Sequence, residues 1–288
     1  MVFFLPLSRK GRGKRECGVF MQQKLLIAAI LALCAIDFMT TPARADTVQL
    51  YAAGSLKAAL TDVTKAFEVK TGNKVDAKYG ASGLLKDEIA GGAKTDVFAS
   101  ANMEHPQALH DAKLSGPAML FVRNRLCALV KPGLRVTSEK LLDRMLDLHV
   151  KLATSTPKAD PSGDYAFEVF RKAEAIKPGA QAILEKKALQ LTGGASSAAP
   201  AAGRTVYGWH VAEGRADIFL TYCTNAVVAQ KEYPGQQVVA LPRELAVGAD
   251  YGLTVMNGAS GAAKDFAQFI MLPEGQKIFL GYGFSTVK

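Results

Sequence analysis

The chain is poor in the residues that usually announce chemistry. It has four cysteines, four histidines and one tryptophan in 288 residues. No C-x-x-C pair occurs, which removes the usual thiol-redox and zinc-ribbon readings. No G-x-S-x-G nucleophile elbow is present. The segment "MEHPQALH" holds Glu104, His105 and His110, but not at the i, i+4 histidine spacing of a helical zinc motif. Internal repeats and heptads are absent, so solenoid and coiled-coil architectures are excluded. The longest apolar run, Leu25 to Ile36, falls short of the ~20 residues of a membrane span.

A basic excess is present but unevenly placed. The net charge is +9, and the first 45 residues hold Arg9, Lys10, Arg12, Lys14, Arg15, Lys24 and Arg44 against only Glu16 and Asp37. The remaining lysines are scattered, so net charge does not argue for nucleic acid. The leader reads as an export signal: a charged stretch, the apolar run, then "ARA" ending at Ala45. Cleavage after Ala45 is expected, with Met21 as the better start. Lipid attachment at Cys34 is disfavoured because Leu33 is too large for the processing site. The mature chain keeps Cys127 and Cys223, which export would allow to pair; two buried thiols are equally compatible with the sequence.

From Asp46 the pattern alternates strand and helix, and 49% hydrophobic content supplies a sizeable core. "TVQLYAA", "KVDAKYG" and "TDVFASA" read as strands. "SLKAALTDVTKAFEVKTG" places Leu56, Ala59, Leu60, Val63 and Phe67 on one helical face and stops at Gly72. "AMLFVRNRLCALVKP" is long for a strand and carries a polar Arg-Asn in its middle, as a strand running from one domain into another would. "AQAILEKKALQL" reads as one helix, and "TGGASSAAPAAGR" as a flexible excursion. The expected fold is α/β with two lobes, each a mixed, mostly parallel sheet flanked by helices. Residues 46–122 plus 246–288 form the first lobe and 123–245 the second.

Hydroxyls recur at the strand ends. Ser55 follows "VQLYAA", Ser82 follows "KVDAKYG", and Ser162 lies in "DPSGDYAF"; each opens a predicted helix. Any one serine is adequately explained as a helix cap, worth ~1 kcal/mol over alanine. Glycines beside them (Gly54, Gly80, Gly83 and Gly163) add a second argument, since they clear side chains where backbone must approach a ligand. Loops at the carboxyl ends of parallel strands share one edge of a sheet, and several helix N-termini converging there favour an anion.

Taken together, "AAGSLKAAL", "YGASGLL", "DVFASAN", "DPSGDYA", "LTYCTNA" and the terminal "GYGF" resemble the periplasmic molybdate-binding proteins of ABC importers, a type II solute-binding family. The resemblance runs from Val48 to Phe284. It implies a non-enzymatic, exported, monomeric protein that binds molybdate or tungstate, needs no cofactor and no nucleic acid, and meets a membrane permease. It further implies neutral donors to the oxyanion: the hydroxyls of Ser55, Ser82 and Tyr222 and the backbone N–H groups of Ser162 and Val206. No side chain would ligate the metal directly, since molybdenum or tungsten arrives as the oxyanion. Lys158 and Arg204 flank these loops and read as solvated surface charges. The alternatives are a binding protein for another oxyanion such as sulfate, or a periplasmic serine hydrolase. For the latter, none of His105, His110, His149 and His210 stands beside an evident activating partner.

Overall fold

The computed structural model describes residues 1–3, 45–200 and 202–287. The expected signal segment, with Met21 and Cys34, lies outside the described residues. From Ala45 onward the chain folds as one unit.

Strand β1 (Thr47–Ala53) leads through a short 3-10 turn (Gly54–Leu56) into helix α1 (Lys57–Thr71). The predicted face of α1 is the buried one: Leu56, Ala59, Leu60, Val63 and Phe67 are all at most 1% exposed. Burial of each large side chain stabilises by ~1.5–3 kcal/mol. Gly72 ends the helix with φ 77°, a left-handed cap that costs a residue with a Cβ far more. Strand β2 (Lys74–Gly80), helix α2 (Ser82–Ala90), strand β3 (Val97–Ser100) and helix α3 (Glu104–Asp111) continue the alternation. Pro106 sits in the first turn of α3, where its missing N–H leaves no bond unmade.

Strand β4 (Met119–Val130) is the long strand expected. After it come α4 (Leu141–Leu146), β5 (Leu152–Ser155), α5 (Pro161–Ile176), α6 (Ala180–Lys187), β6 (Leu189–Thr192), α7 (Val206–Ala212), β7 (Ile218–Tyr222), α8 (Cys223–Glu232) and β8 (Gln237–Ala240). A second 3-10 turn (Arg243–Leu245) leads to β9 (Gly248–Val255), α9 (Gly261–Met271), α10 (Pro273–Gly281) and the short β10 (Ser285–Thr286). The expected break at Leu272–Pro273 separates α9 from α10. One expected element differs: "AQAILEKKALQL" is a helix only to Lys187. Ala188 turns extended, and Leu189 to Thr192 pairs with β5 as a parallel strand. Helical periodicity alone could not see that partner.

The strand order is β2-β1-β3-β9-β4-β7-β5-β6, with β8 and β10 also on β4. Pairings β1·β2, β1·β3, β5·β6 and β5·β7 are parallel, whereas β9, β4, β8 and β10 run antiparallel to their partners. Each half is therefore mixed, with the antiparallel strands contributed by the crossing segments. Strand β4 changes partners along its length: Met119 to Arg125 pair with β9, and Leu126 to Val130 with β7 and β8. One side of the sheet system thus holds β1–β3 and β9, the other β5–β8, and β4 belongs to both.

Cys127 and Cys223 form a disulfide that ties β4 to the first residue of α8. The bridge closes a loop with a sequence separation of 96. Closing a loop of that size restrains the unfolded chain strongly. Replacing both cysteines by serine should therefore lower unfolding free energy by ~2–5 kcal/mol in urea titrations. An unchanged midpoint would show that the bridge adds nothing.

Candidate functional site

The parallel strands of both halves point their carboxyl ends at one cavity. Its wall includes Ala53 at the end of β1, Gly80 at the end of β2, Ala101 just past β3, Thr192 at the end of β6 and Tyr222 at the end of β7. The cavity measures about 260 Å³.

Four of the five residues expected to hold a ligand border it: Ser55, Ser82, Val206 and Tyr222. Ser55 lies in the 3-10 turn after β1, and its hydroxyl shares a 3.0 Å hydrogen bond with the Tyr251 hydroxyl. Ser82 is the first residue of α2. Its Oγ accepts the Ala101 N–H at 3.1 Å, so its own hydrogen remains to donate. Neither serine caps its helix with its side chain, contrary to the simple capping account. Nor is either paired with a histidine; both hydroxyls are held by neutral groups. Val206 opens α7. Tyr222 ends β7, 1% exposed, with its hydroxyl donating to the Ala101 carbonyl at 3.5 Å. Burial pushes the Tyr222 and Tyr251 phenols well above their ordinary pKa, so both stay neutral donors.

Ser162 departs from expectation. It is fully buried behind the cavity wall rather than on it. Its N–H is already spent on the Asp160 carboxylate at 3.0 Å, and its hydroxyl has no partner. The reason is local: Asp160 is the N-cap of α5, with Pro161 at the first helical position. Capping therefore belongs to Asp160, and the residue of this turn that borders the cavity is Asp160 rather than Ser162. Asp160 is half-buried on the cavity wall. Enclosure by protein raises its pKa to about 6, against the opposing pull of the Ser162 N–H.

Two further groups were not legible as site residues. The excursion after β6 is not filler: Gly193, Ser197, Ala198, Ala199 and Pro200 form part of the cavity wall. A local turn holds it, Gly194 N–H to Ser197 Oγ at 2.9 Å and Ser197 N–H to the Gly194 carbonyl at 3.0 Å. Beside the cavity, Asn124, the polar residue midway along β4, donates to Thr224 at 2.9 Å and lies 3.4 Å from the Tyr251 hydroxyl. Ser55, Tyr251, Asn124 and Thr224 thus form one polar chain where β4 changes partners. The "RN" inside an apolar strand was its only signal.

The glycines act differently from their expected role. Gly54 and Gly80 have room for a Cβ. At Gly83 a Cβ would fall 2.3 Å from the Lys158 carbonyl oxygen and 2.7 Å from that of Ala159. Here the backbone of α2 meets the loop before α5, and Gly83 N–H donates to Ala159 at 2.9 Å. What approaches is the opposite wall rather than a ligand. Lys158, on that loop, holds φ 67°, uncommon for a residue with a side chain. Lys158 is exposed, and Arg204 pairs with Glu232 and Tyr233, so neither cation is turned to the cavity wall. Gly83→Ala should therefore hold the two walls apart. Hydrogen exchange at the residue-83 amide should accelerate at least tenfold, and an unchanged rate would show the contact does not join them.

The family described as bacterial extracellular solute-binding protein matches residues 48–285. A Pasteurella multocida protein of uncharacterised role is 32% identical over 238 residues, spanning 82% of this chain and 98% of its own. The molybdate-binding protein ModA of Escherichia coli is 27% identical over 250 residues, 84% of this chain and 89% of that one. Among solved structures, the periplasmic molybdate-binding protein of Azotobacter vinelandii superposes with a TM-score of 0.67 at 20% identity, covering 84% of this chain and all of that one.

Proposed function

The chain belongs to the bacterial extracellular solute-binding protein family, and from that premise we propose that it captures molybdate or tungstate between two lobes and delivers it to an ABC importer's permease. In this reading residues 1–45 are removed on export to the periplasm. Residues 46–122 with 246–288 form one lobe, 123–245 the other, and β4 and β9 carry the hinge between them. The protein acts as a monomer and catalyses nothing.

The observation that carries this reading is the convergence of Ser55, Ser82 and Tyr222, from three separate strand ends, and Val206, from the start of α7, on one cavity. Neutral hydroxyl and amide dipoles suit an oxyanion withdrawn from water. They meet its oxygens without burying a lysine that would need a partner of its own when the site is empty. They also allow discrimination by size, since a smaller tetrahedral ion leaves some donors unpaired. Molybdate and tungstate are nearly equal in size, so the two should compete closely. Closure is favoured by the Gly83–Ala159 and Tyr222–Ala101 hydrogen bonds, which join the proposed lobes across the cavity.

Calorimetric titration of the mature protein with molybdate, tungstate, sulfate and phosphate tests the proposal. Molybdate and tungstate should bind tightest and raise the melting temperature by linkage. Tight binding of another solute with no response to either would overturn it. Ser55→Ala and Tyr222→Phe should each weaken molybdate binding by about 1–3 kcal/mol, the cost of leaving an anion oxygen short of a donor. Unchanged affinity in both would remove these residues from the site.

A further inference from the structure

Among the described residues Asp160 is the one acid on the cavity wall. A negative group is out of place among donors collected for an anion, so its surroundings decide what it does. One oxygen accepts the Ser162 N–H at 3.0 Å. The other lies against Gly193, where a Cβ would come within 2.7 Å of it, and where φ of 78° also excludes most side chains. The carboxyl is therefore clamped in place between the start of α5 and the end of β6.

Among the described residues no cation offsets it. Its own helix presents Asp164, another acid. From β5 comes the Ser155 hydroxyl, from α7 the Tyr207 phenol and from β7 the Tyr222 phenol, all neutral. The end of β6 adds Thr192, whose hydroxyl is bonded to Ser155 at 2.9 Å. Among the described residues Asp160 makes no ion pair, and Arg204 is committed to Glu232.

Molybdate, tungstate and sulfate are fully ionised near neutral pH and bring no proton. An ionised Asp160 and such a dianion would share one cavity of about 260 Å³, where like charges held at close range raise each other's cost. We infer that capture of a dianion in this cleft takes up one proton onto Asp160, whose carboxyl O–H then donates to the ligand. The inference rests on reading the cavity as an oxyanion site. Asp160 thereby joins the donor set, in the place that the Ser162 amide was expected to fill. It also makes affinity depend on pH. The free acid already titrates near 6, and a bound dianion would raise that value further. Below about pH 6 the carboxyl is protonated before the ligand arrives, and affinity is level. Above it, each pH unit weakens binding roughly tenfold, as linkage requires for one proton taken up.

The test uses Asp160→Asn, which keeps an acceptor for the Ser162 N–H and remains a good N-cap; an unchanged melting temperature would confirm that its fold is intact. Micromolar molybdate and tungstate are titrated calorimetrically from pH 6 to 9, in two buffers of different ionisation enthalpy. The native protein should take up about half a proton at pH 6, and above about pH 7 lose about tenfold in affinity per pH unit while taking up close to one proton. The variant should bind with no pH slope and no proton uptake, about 100-fold tighter than the native protein at pH 8. Binding by the native protein without slope or uptake would overturn the inference while leaving the oxyanion reading intact. A slope retained in the variant would remove Asp160 from that role. Failure of both proteins to bind either ion at any pH would overturn the oxyanion reading, and this inference with it.

Discussion

Much of the structure depends on β4 serving two sets of partners. Its first half is hydrogen-bonded to β9 and its second to β7 and β8, so one strand's backbone holds both sides of the sheet system together. Parallel strands need long crossovers, and these place helices after β1, β2, β5 and β7. Because β4 runs between the two groups, their carboxyl ends border a common cavity rather than separate surfaces. The polar residue at the change of partners, Asn124, would be costly inside an apolar strand without its bonds to Thr224 and Tyr251. Those bonds tie the crossing to Ser55, so the strand that joins the halves also orients a donor in the cavity.

The cavity itself is a problem in desolvation. Hydroxyls and backbone N–H groups carry oriented dipoles, and their hydrogens can turn toward an anion without a change of net charge. Ser82 illustrates the economy: its oxygen accepts from Ala101 while its hydrogen is left to donate. Tyr222, buried and neutral, reaches across to the same residue's carbonyl. Asp160 breaks the neutral pattern. A carboxyl can join the donor set only by carrying a proton, and an enclosure that lifts its pKa toward neutrality makes that proton cheap to acquire. The proposed site would therefore combine fixed dipoles with one group whose charge answers to its surroundings.

The α/β alternation, the long crossing strand, the buried face of α1 and the positions of Ser55, Ser82 and Tyr222 were all legible, because each rests on short-range pattern. Strand ends, helix starts and periodicity are properties of neighbouring residues. Two of the misreadings share a cause. Leu189 to Thr192 became a strand because β5 offered an edge distant in sequence. The low-complexity stretch after it became cavity wall because that strand placed it there. Ser162 lost its amide to Asp160, two residues earlier, and the Asp-Pro signature of a helix start was sufficient in principle to show it.

"YAAGSLKAAL" and its companions determined by themselves that hydroxyls stand where helices begin after strands, since the chain's own hydrophobic periodicity sets those boundaries. Tertiary structure alone decided which of them meet. It paired Cys127 with Cys223, brought α2 against the loop at Ala159 through the bare backbone of Gly83, and set a carboxyl among the donors. The physical reason is that a contact between distant segments depends on sheet order and on the room left when strands pack, and neither is written in local sequence.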